Sequence, residues 1–366
     1  MQKAKRVAIV INSLSGGGAE KVMLTLAMAL QHLGHLPYLV LLQKKGEYDV
    51  PENIPYHACF NTDEKHLDAF WKRDKSAKHL AQEIRGIESE FGAFDLFLSN
   101  LDKTNMLMTK TDLSPLYCVV HNSVEAQLSR QKKLGPLTYF KMLYAKKSMS
   151  NQNLICVSNG IANEINEVKR FIPKSIRTIY NPFDLQGIQR FSNEDSESIP
   201  KSDFLIHVGR VAKQKRHDIL FSALKLTKST LPLVLLCNNP KKAMKLAKQH
   251  GVEDRVIIPG FQTNPYAWIK RAKAMVLSSD FEGLPTVLIE ALACGTPVVS
   301  TDCPHGPSEI LTDELSQYLV PVRQPKLLAE KIDLVLKDDP DISNVSVLGQ
   351  VNAENVAKAY LSLIQS

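Results

Sequence analysis

The stretch SSDFEGLPTVLIEALACGTPVV, Ser278–Val299, carries the pattern that decides the fold. An apolar run, Ala274–Leu277, precedes it, and a second, Pro297–Ser300, overlaps its end. Between them lies a loop with Glu282 and Gly283. A helical segment Pro285–Ala293 follows, opened by a proline whose missing N–H costs little at a first helical position and stopped by Gly295. Strand, loop, helix and strand in this order read as one unit of a parallel sheet covered by helices. The spacing has a chemical consequence. The N–H groups of Thr286 and Val287 are free at the positive end of the helix, where an anion such as phosphate binds. Glu290 lies five residues in, about 7–8 Å down the axis, within reach of a ribose when phosphate occupies the tip. Glu282, on the loop above, can meet a sugar. The competing reading of Glu290 is a structural pair with an Arg or Lys, because an unpaired buried carboxylate is costly.

Outward from this segment the same alternation recurs. Strand-like runs are Arg6–Ile11, Tyr38–Leu42, Leu96–Leu98, Tyr117–Val120 and Leu154–Val157 in the first half. In the second half they are Phe204–Val208, Leu233–Cys237, Val256–Ile258, Ala274–Leu277 and Pro297–Ser300. They are continuously apolar, as strands buried on both faces require. The fold class is therefore α/β, with two doubly wound, Rossmann-like parallel-sheet domains. The polar stretch 184–203, with its Ser/Glu/Asp cluster, reads as a linker between an N-terminal domain, 1–183, and a C-terminal nucleotide-binding domain, 204–350. The tail, 351–366, reads as a helix with Val356, Ala359, Tyr360 and Leu363 on one stripe, able to pack back on the first domain. Ligands of such sheets bind beyond the carboxyl ends of the strands, so the loops there are expected to line a cleft.

Bulk properties set bounds. The 366 residues are long for one core, and 44% hydrophobic with 23% charged residues is globular composition. A net charge of +7 does not by itself imply nucleic acid and suits an anionic substrate or membrane surface. Six cysteines without CxxC or zinc spacing fit a reducing, cytoplasmic setting. No apolar run approaches a membrane span, so membrane contact is expected to be peripheral. The basic residues before Val7 mimic a signal peptide, but Asn12-Ser13 and glycines follow the apolar run, and a buried first strand is the better reading.

Two further loops carry candidate chemistry. Val208-Gly209-Arg210 ends a strand, with Lys215 and Arg216 following. Arg210 and Lys215 can converge on a diphosphate, the first as a bidentate fork and the second as a point charge. Solvated surface charge is the bland reading; the position at a strand's carboxyl end favours the other. The loop after the first strand, SLSGGGAE, allows close backbone approach through Gly17 and Gly18, although alone it reads equally as a tight turn.

Together these segments resemble the retaining family 4 glycosyltransferases of the GT-B fold. The resemblance rests on Glu-x7-Glu in FEGLPTVLIEALACGTPVVS and on VGRVAKQK, supported by SGGGAEKV, ICVSNGI and TIYNPFD; residues 43–93 match nothing. It implies that Arg210 and Lys215 bind the donor pyrophosphate and stabilise the leaving group, and that Glu290 holds the ribose. It implies that Glu282, with Gly283, Leu284, Thr286 and Val287, holds the donor. Gly17 and Gly18 border the phosphate or acceptor, His121 lies near the reacting centre, and Asn181 sits at the cleft edge. The implied donor is a nucleotide sugar, a UDP-sugar, with no other cofactor and no metal. Cations and a helix N-terminus suffice to stabilise a departing diphosphate, and the one Asp-x-Asp, Asp339-Pro-Asp341, reads as a solvated turn. DCPHGPSEIL, 302–311, resembles members acting in bacterial surface-polysaccharide and lipopolysaccharide synthesis, on a glycan or lipid-linked acceptor.

Residues 128–150 mix Arg130, Lys132, Lys133, Lys141, Lys146 and Lys147 with aromatic and aliphatic residues. They read equally as a membrane-surface helix, on the cytoplasmic face of an inner membrane, or as an ordinary domain helix. Two rival functions follow from the same sequence: a sugar-nucleotide epimerase or hydrolase of the same fold, and a non-enzymatic basic surface binder. The second lacks any nucleic-acid recognition element.

Overall fold

The computed structural model describes residues 3–15, 18–46, 48–342 and 345–364. The chain divides into two compact units, 1–183 with 351–366, and 184–350.

In the first unit, seven strands form one parallel sheet. They are β1 (Arg6–Ile11), β2 (Leu36–Gln43), β3 (Tyr56–Phe60), β4 (Leu96–Asn100), β5 (Leu116–Val120), β6 (Asn153–Cys156) and β7 (Ser175–Thr178), in the order β3-β2-β1-β4-β5-β6-β7. Val7–Ile11 of β1 are fully buried, as a central strand covered on both faces must be. Tyr38, Phe91, Phe94 and Phe97 cluster at one side of this core, edge-on except for the tilted Phe91–Phe94 pair. Strand order reverses between β1 and β4, so the loops after those two strands form the unit's binding position. The second unit repeats the pattern with β8 (Leu205–Val208), β9 (Leu233–Leu236), β10 (Val256–Gly260), β11 (Ala274–Leu277), β12 (Val298–Thr301) and β13 (Leu319–Val320), in the order β10-β9-β8-β11-β12-β13. Its reversal lies between β8 and β11.

Two segments differ from the sequence reading, and the tail follows it except in one residue of its buried stripe. The stretch 184–203 is more than a connector: Leu185–Ser192 is a helix of the second unit, packed on helices 266–271 and 286–293. Asp184 caps it by accepting the Gly187 N–H, and Ile188 is its buried anchor. Residues 128–150 hold parts of two helices, Val124–Leu134 and Pro136–Lys147. Gly135, at φ 123°, breaks them, and Pro136 opens the second. The tail helix Ala353–Ser362 joins the first unit, packed on helix 18–32, with Ala353 N–H bonded to Phe183 O at 3.0 Å. Ala357, rather than Ala359, is buried beside Val356 and Tyr360.

All six cysteines are buried and free. Among the described residues, no helix is long and apolar enough to cross a membrane.

Candidate active site

The two loops at the second unit's reversal point meet. After β8 the chain passes through Gly209 and Arg210 into a single 3-10 turn, Lys213–Lys215. After β11 it runs through Ser278–Pro285 into helix Thr286–Ala293. Lys215 Nζ lies 2.8 Å from Glu282 Oε1, with both side chains largely buried. Two bonds between the loops lock the pair: Ser278 Oγ donates to Lys215 O at 2.8 Å, and Asp280 N–H donates to Gln214 O at 2.9 Å. Gln214 Nε2 reaches Phe281 O at 2.6 Å.

Beneath this pair lies a charge network. Asp280 accepts from Arg216 at 3.2 Å and from Arg323 at 2.9 Å, and Arg216 also binds Asp218 at 2.6 Å. Although burial opposes it, the two guanidiniums hold the Asp280 carboxyl below its ordinary range. Arg216 adopts φ 47°, a left-handed conformation that costs free energy for a non-glycine residue and is held by these bonds. Arg210, by contrast, is exposed, and among the described residues it makes no ion pair. With Lys213, it is a cation left open at this loop.

Gly209 has a steric reason. A Cβ there would stand 3.2 Å from His207 Nε2 and 3.5 Å from Lys215 Cε. Behind it, the buried rings of His207 and His217 meet edge-on at 5.0 Å. His207 Nδ1 donates to Val276 O at 2.8 Å, a carbonyl that can only accept. Burial pushes the His217 ring down to about 4 and holds His207 well below its ordinary value. Both are neutral at pH 7.

At helix 286–293, Pro285 takes the cap position and Thr286 the first helical one, a residue later than the sequence suggests. Leu288 N–H bonds Pro285 O at 3.0 Å. Among the described residues the N–H groups of Thr286 and Val287 meet no acceptor. Leu284 is buried beneath the loop. Glu290, four residues after Thr286 and so about 6 Å along the axis, is only half-buried. Its Oε1 accepts from the Tyr266 hydroxyl at 3.3 Å. The Tyr266 hydroxyl is thus one of the groups that position the Glu290 carboxylate. Gly306 braces the loop: its φ is 106°, and a Cβ there would overlap Pro285 Cδ at 2.4 Å and approach Gly283 O at 3.2 Å.

In the first unit, His121 follows β5 and its Nε2 lies 2.9 Å from Asn100 Oδ1. Asn100, at the end of β4, donates through Nδ2 to Val10 O and Leu98 O. Those carbonyls orient the amide, so its oxygen faces the imidazole and Nε2 carries the proton. Burial pushes the His121 ring down to about 4, against the opposing charge of Asp102. The neutral ring therefore presents Nδ1 as an acceptor. Asn12 Oδ1, on the loop after β1, accepts from Thr104 Oγ1 at 2.5 Å, tying the loops at the reversal point together. Gly18 opens helix 18–32, and a Cβ there would meet nothing within 4 Å. Gly17 lies outside the described residues. Asn181 is buried, with Oδ1 lacking a hydrogen-bond partner among the described residues.

The structure thus brings Lys215, Glu282, Gly283, Leu284, Thr286 and Val287 to one place, with Arg210 on the same loop and Glu290 down the helix. Sequence reasoning missed Gln214, Asp280, Arg323, Tyr266 and Asn100. Asp280 lay inside the deciding motif, and Asn100 is two residues past the expected end of its strand. Arg323 and Tyr266 gave no local signal. Among the described residues, no three His, Cys, Asp or Glu side chains gather as a metal-binding group.

Comparison with known proteins agrees with this architecture. The model described as Glycosyltransferase Family 4 matches residues 16–186, and Glycosyl transferases group 1 matches residues 189–349. An N-acetylgalactosamine-N,N'-diacetylbacillosaminyl-diphospho-undecaprenol 4-alpha-N-acetylgalactosaminyltransferase of Campylobacter jejuni is 30% identical over 345 residues, 92% of this chain and 91% of the relative. A lipopolysaccharide 1,6-galactosyltransferase of Escherichia coli K12 is 29% identical over 192 residues, 50% of this chain and 51% of the relative. The solved apo form of the lipopolysaccharide outer core galactosyltransferase WaaB superposes with a TM-score of 0.72 at 19% identity, covering 98% of this chain and 99% of that one. The fold is the GT-B arrangement of two Rossmann-like units, and the chain belongs to the family 4 glycosyltransferases, with the group 1 pattern in its second unit.

Proposed function

We propose that this glycosyltransferase moves a hexose or N-acetylhexosamine, with retention at the anomeric carbon, from a UDP-sugar to a glycan carried on a lipid diphosphate, in bacterial surface-polysaccharide or lipopolysaccharide synthesis. The observation that carries the reading is the Lys215–Glu282 pair beside the open N–H groups of Thr286 and Val287. Cleaving a glycosyl–phosphate bond builds positive charge on the sugar and negative charge on the departing diphosphate. In this reading Lys215 and Arg210 meet the diphosphate, and the two amides meet the same anion at the helix tip. Glu282, freed from Lys215 as phosphate takes its place, accepts from sugar hydroxyls. Glu290, oriented by Tyr266, accepts from the ribose. His121, neutral and aimed by Asn100, accepts a hydrogen bond at Nδ1 from the sugar or acceptor.

The two sequence relatives support this acceptor and sugar class, and both are transferases, which leaves the epimerase and hydrolase readings without support. Stabilisation of the leaving group by protein cations alone makes the transfer metal-independent in this account. The enzyme works at the cytoplasmic face of a membrane, where a nucleotide sugar and a lipid-linked acceptor meet. Incubating the protein with UDP-N-acetylgalactosamine and a polyprenyl-diphosphate glycan tests the reading. A product one sugar longer supports it; epimerised donor or free sugar without transfer overturns it.

A further inference from the structure

The first unit carries an exposed apolar and cationic face outside the candidate site. Two segments far apart in sequence build it. On helix Pro136–Lys147, Leu137 is 82% exposed and Phe140 is 63% exposed, with Leu134 just before the Gly135 break. In the turn before helix 73–91, Phe70 and Trp71 are each 81% exposed. The segments are fastened side by side. Lys141 Nζ binds Asp68 Oδ2 at 3.0 Å, and the Arg73 guanidinium lies 4.3 Å over the Tyr144 ring. Residues 137, 140, 141 and 144 fall on one stripe of the helix, so the exposed side chains flank the seam held by Lys141 and Tyr144.

The helical side of this face is cationic, whereas the carboxylates beside Phe70 and Trp71 are paired, Asp68 with Lys141, Glu64 with Lys72 and Asp74 with Lys110. Arg130, Lys132, Lys133, Lys141 and Lys147 are exposed, and no Asp or Glu occurs between positions 126 and 163. Large aromatic side chains left in water beside unopposed cations suit an interface that is apolar at depth and anionic at its surface. A protein partner would need an apolar pocket ringed by carboxylates; a bilayer of anionic lipids offers both layers at once. The lysine stems can lie along the acyl boundary while their ammonium groups reach headgroups. The far side of the same helix is fixed: Lys146 is buried, and its Nζ binds Asp102 Oδ1 and Gln127 Oε1, each at 2.5 Å. Asp102 follows Asn100, the residue that aims His121, by two positions.

We infer that Phe70, Trp71, Leu134, Leu137 and Phe140, with the surrounding lysines, form the surface by which the enzyme docks on an anionic bilayer. This rests on the reading of a lipid-linked acceptor, since docking places His121's unit at the surface that carries such a substrate.

The protein supplies its own probe. It has two tryptophans, of which Trp71 is exposed and Trp268 is 2% exposed. With phosphatidylcholine vesicles containing about a third phosphatidylglycerol, the full chain sediments, and Trp71 emission shifts to the blue and is quenched by brominated lipid. Trp71→Phe removes the shift. The variant Phe70→Ser/Leu137→Ser/Phe140→Ser and the variant Lys132→Glu/Lys133→Glu each lower vesicle partitioning at least about tenfold. Both keep the melting temperature, the stabilisation by UDP-sugar and transfer to a detergent-dispersed acceptor. Absence of sedimentation, or partitioning unchanged in both variants, overturns the inference. So does a concentration-dependent dimer that the apolar variant abolishes while vesicles are ignored, which assigns the face to a second copy. Vesicle binding without any transfer leaves the surface standing and sinks the proposed reaction instead.

Discussion

Lys215 and Glu282 are 67 residues apart in sequence, yet Nζ and Oε1 stand 2.8 Å apart at the point where the second sheet reverses its strand order. Each is the other's nearest opposite charge, and bonds from the Ser278 hydroxyl and the Asp280 amide hold their two loops in register. A cation already fixed before substrate arrives loses little on meeting a diphosphate, which is the condition for strong electrostatic stabilisation.

That coupling has a measurable form. Lys215→Ala and Glu282→Ala are expected to be non-additive in kcat/KM, with an interaction of at least about 1 kcal/mol, because each removal alters what the other side chain faces. Steady-state kinetics of the two single variants and the double variant check it; strictly additive losses show that the pair does not act as a unit.

Gly306→Ala is expected to disturb the donor loop from outside it. The added methyl meets Pro285 Cδ at 2.4 Å, at a positive φ that alanine disfavours. A stability loss of roughly 1–3 kcal/mol is expected, with a raised KM for the nucleotide sugar. Thermal melting and a donor titration report the two effects separately.

Stability should depend on pH through the buried imidazoles. Burial lowers the His217 ring to about 4, and His207 is also well below its ordinary value, against about 6.5 in the unfolded chain. Between those values the unfolded chain binds protons that the folded chain does not, so stability rises with pH there. The contribution is fully present above about pH 6.5 and is lost as pH falls towards 4. Melting temperatures across this window should fall on acidification, and His217→Gln should flatten the slope; an unchanged slope contradicts a neutral His217.

In the proposed mechanism Lys215, Arg210 and the helix tip do the work of a cation at the diphosphate, so chelation should leave transfer intact. Transfer assayed with excess EDTA is expected to match the untreated rate. Abolition that magnesium restores contradicts that mechanism.

Much of this was legible because central strands and their loops speak locally. β1 and β11 read directly from their apolar runs, and so did the helix that begins beyond Pro285. The edge strand β3 did not: Tyr56 is exposed and His57 half-buried, so YHACF lacks the continuous apolarity of a covered strand. The helix in 185–192 hid in polar composition, its cap Asp184 resembling any turn residue. Positioning partners were the least legible. Arg323 reaches Asp280 across 43 residues and Tyr266 reaches Glu290 across 24, contacts that only the assembled sheet creates.

The most direct test of the account is the rate of sugar transfer from UDP-sugar to the lipid-diphosphate acceptor in Lys215→Ala and Glu290→Ala, each checked for an unchanged melting temperature. The account predicts a fall of at least about 100-fold in each, close to 3 kcal/mol of transition-state stabilisation. Near-normal transfer in both variants would contradict it.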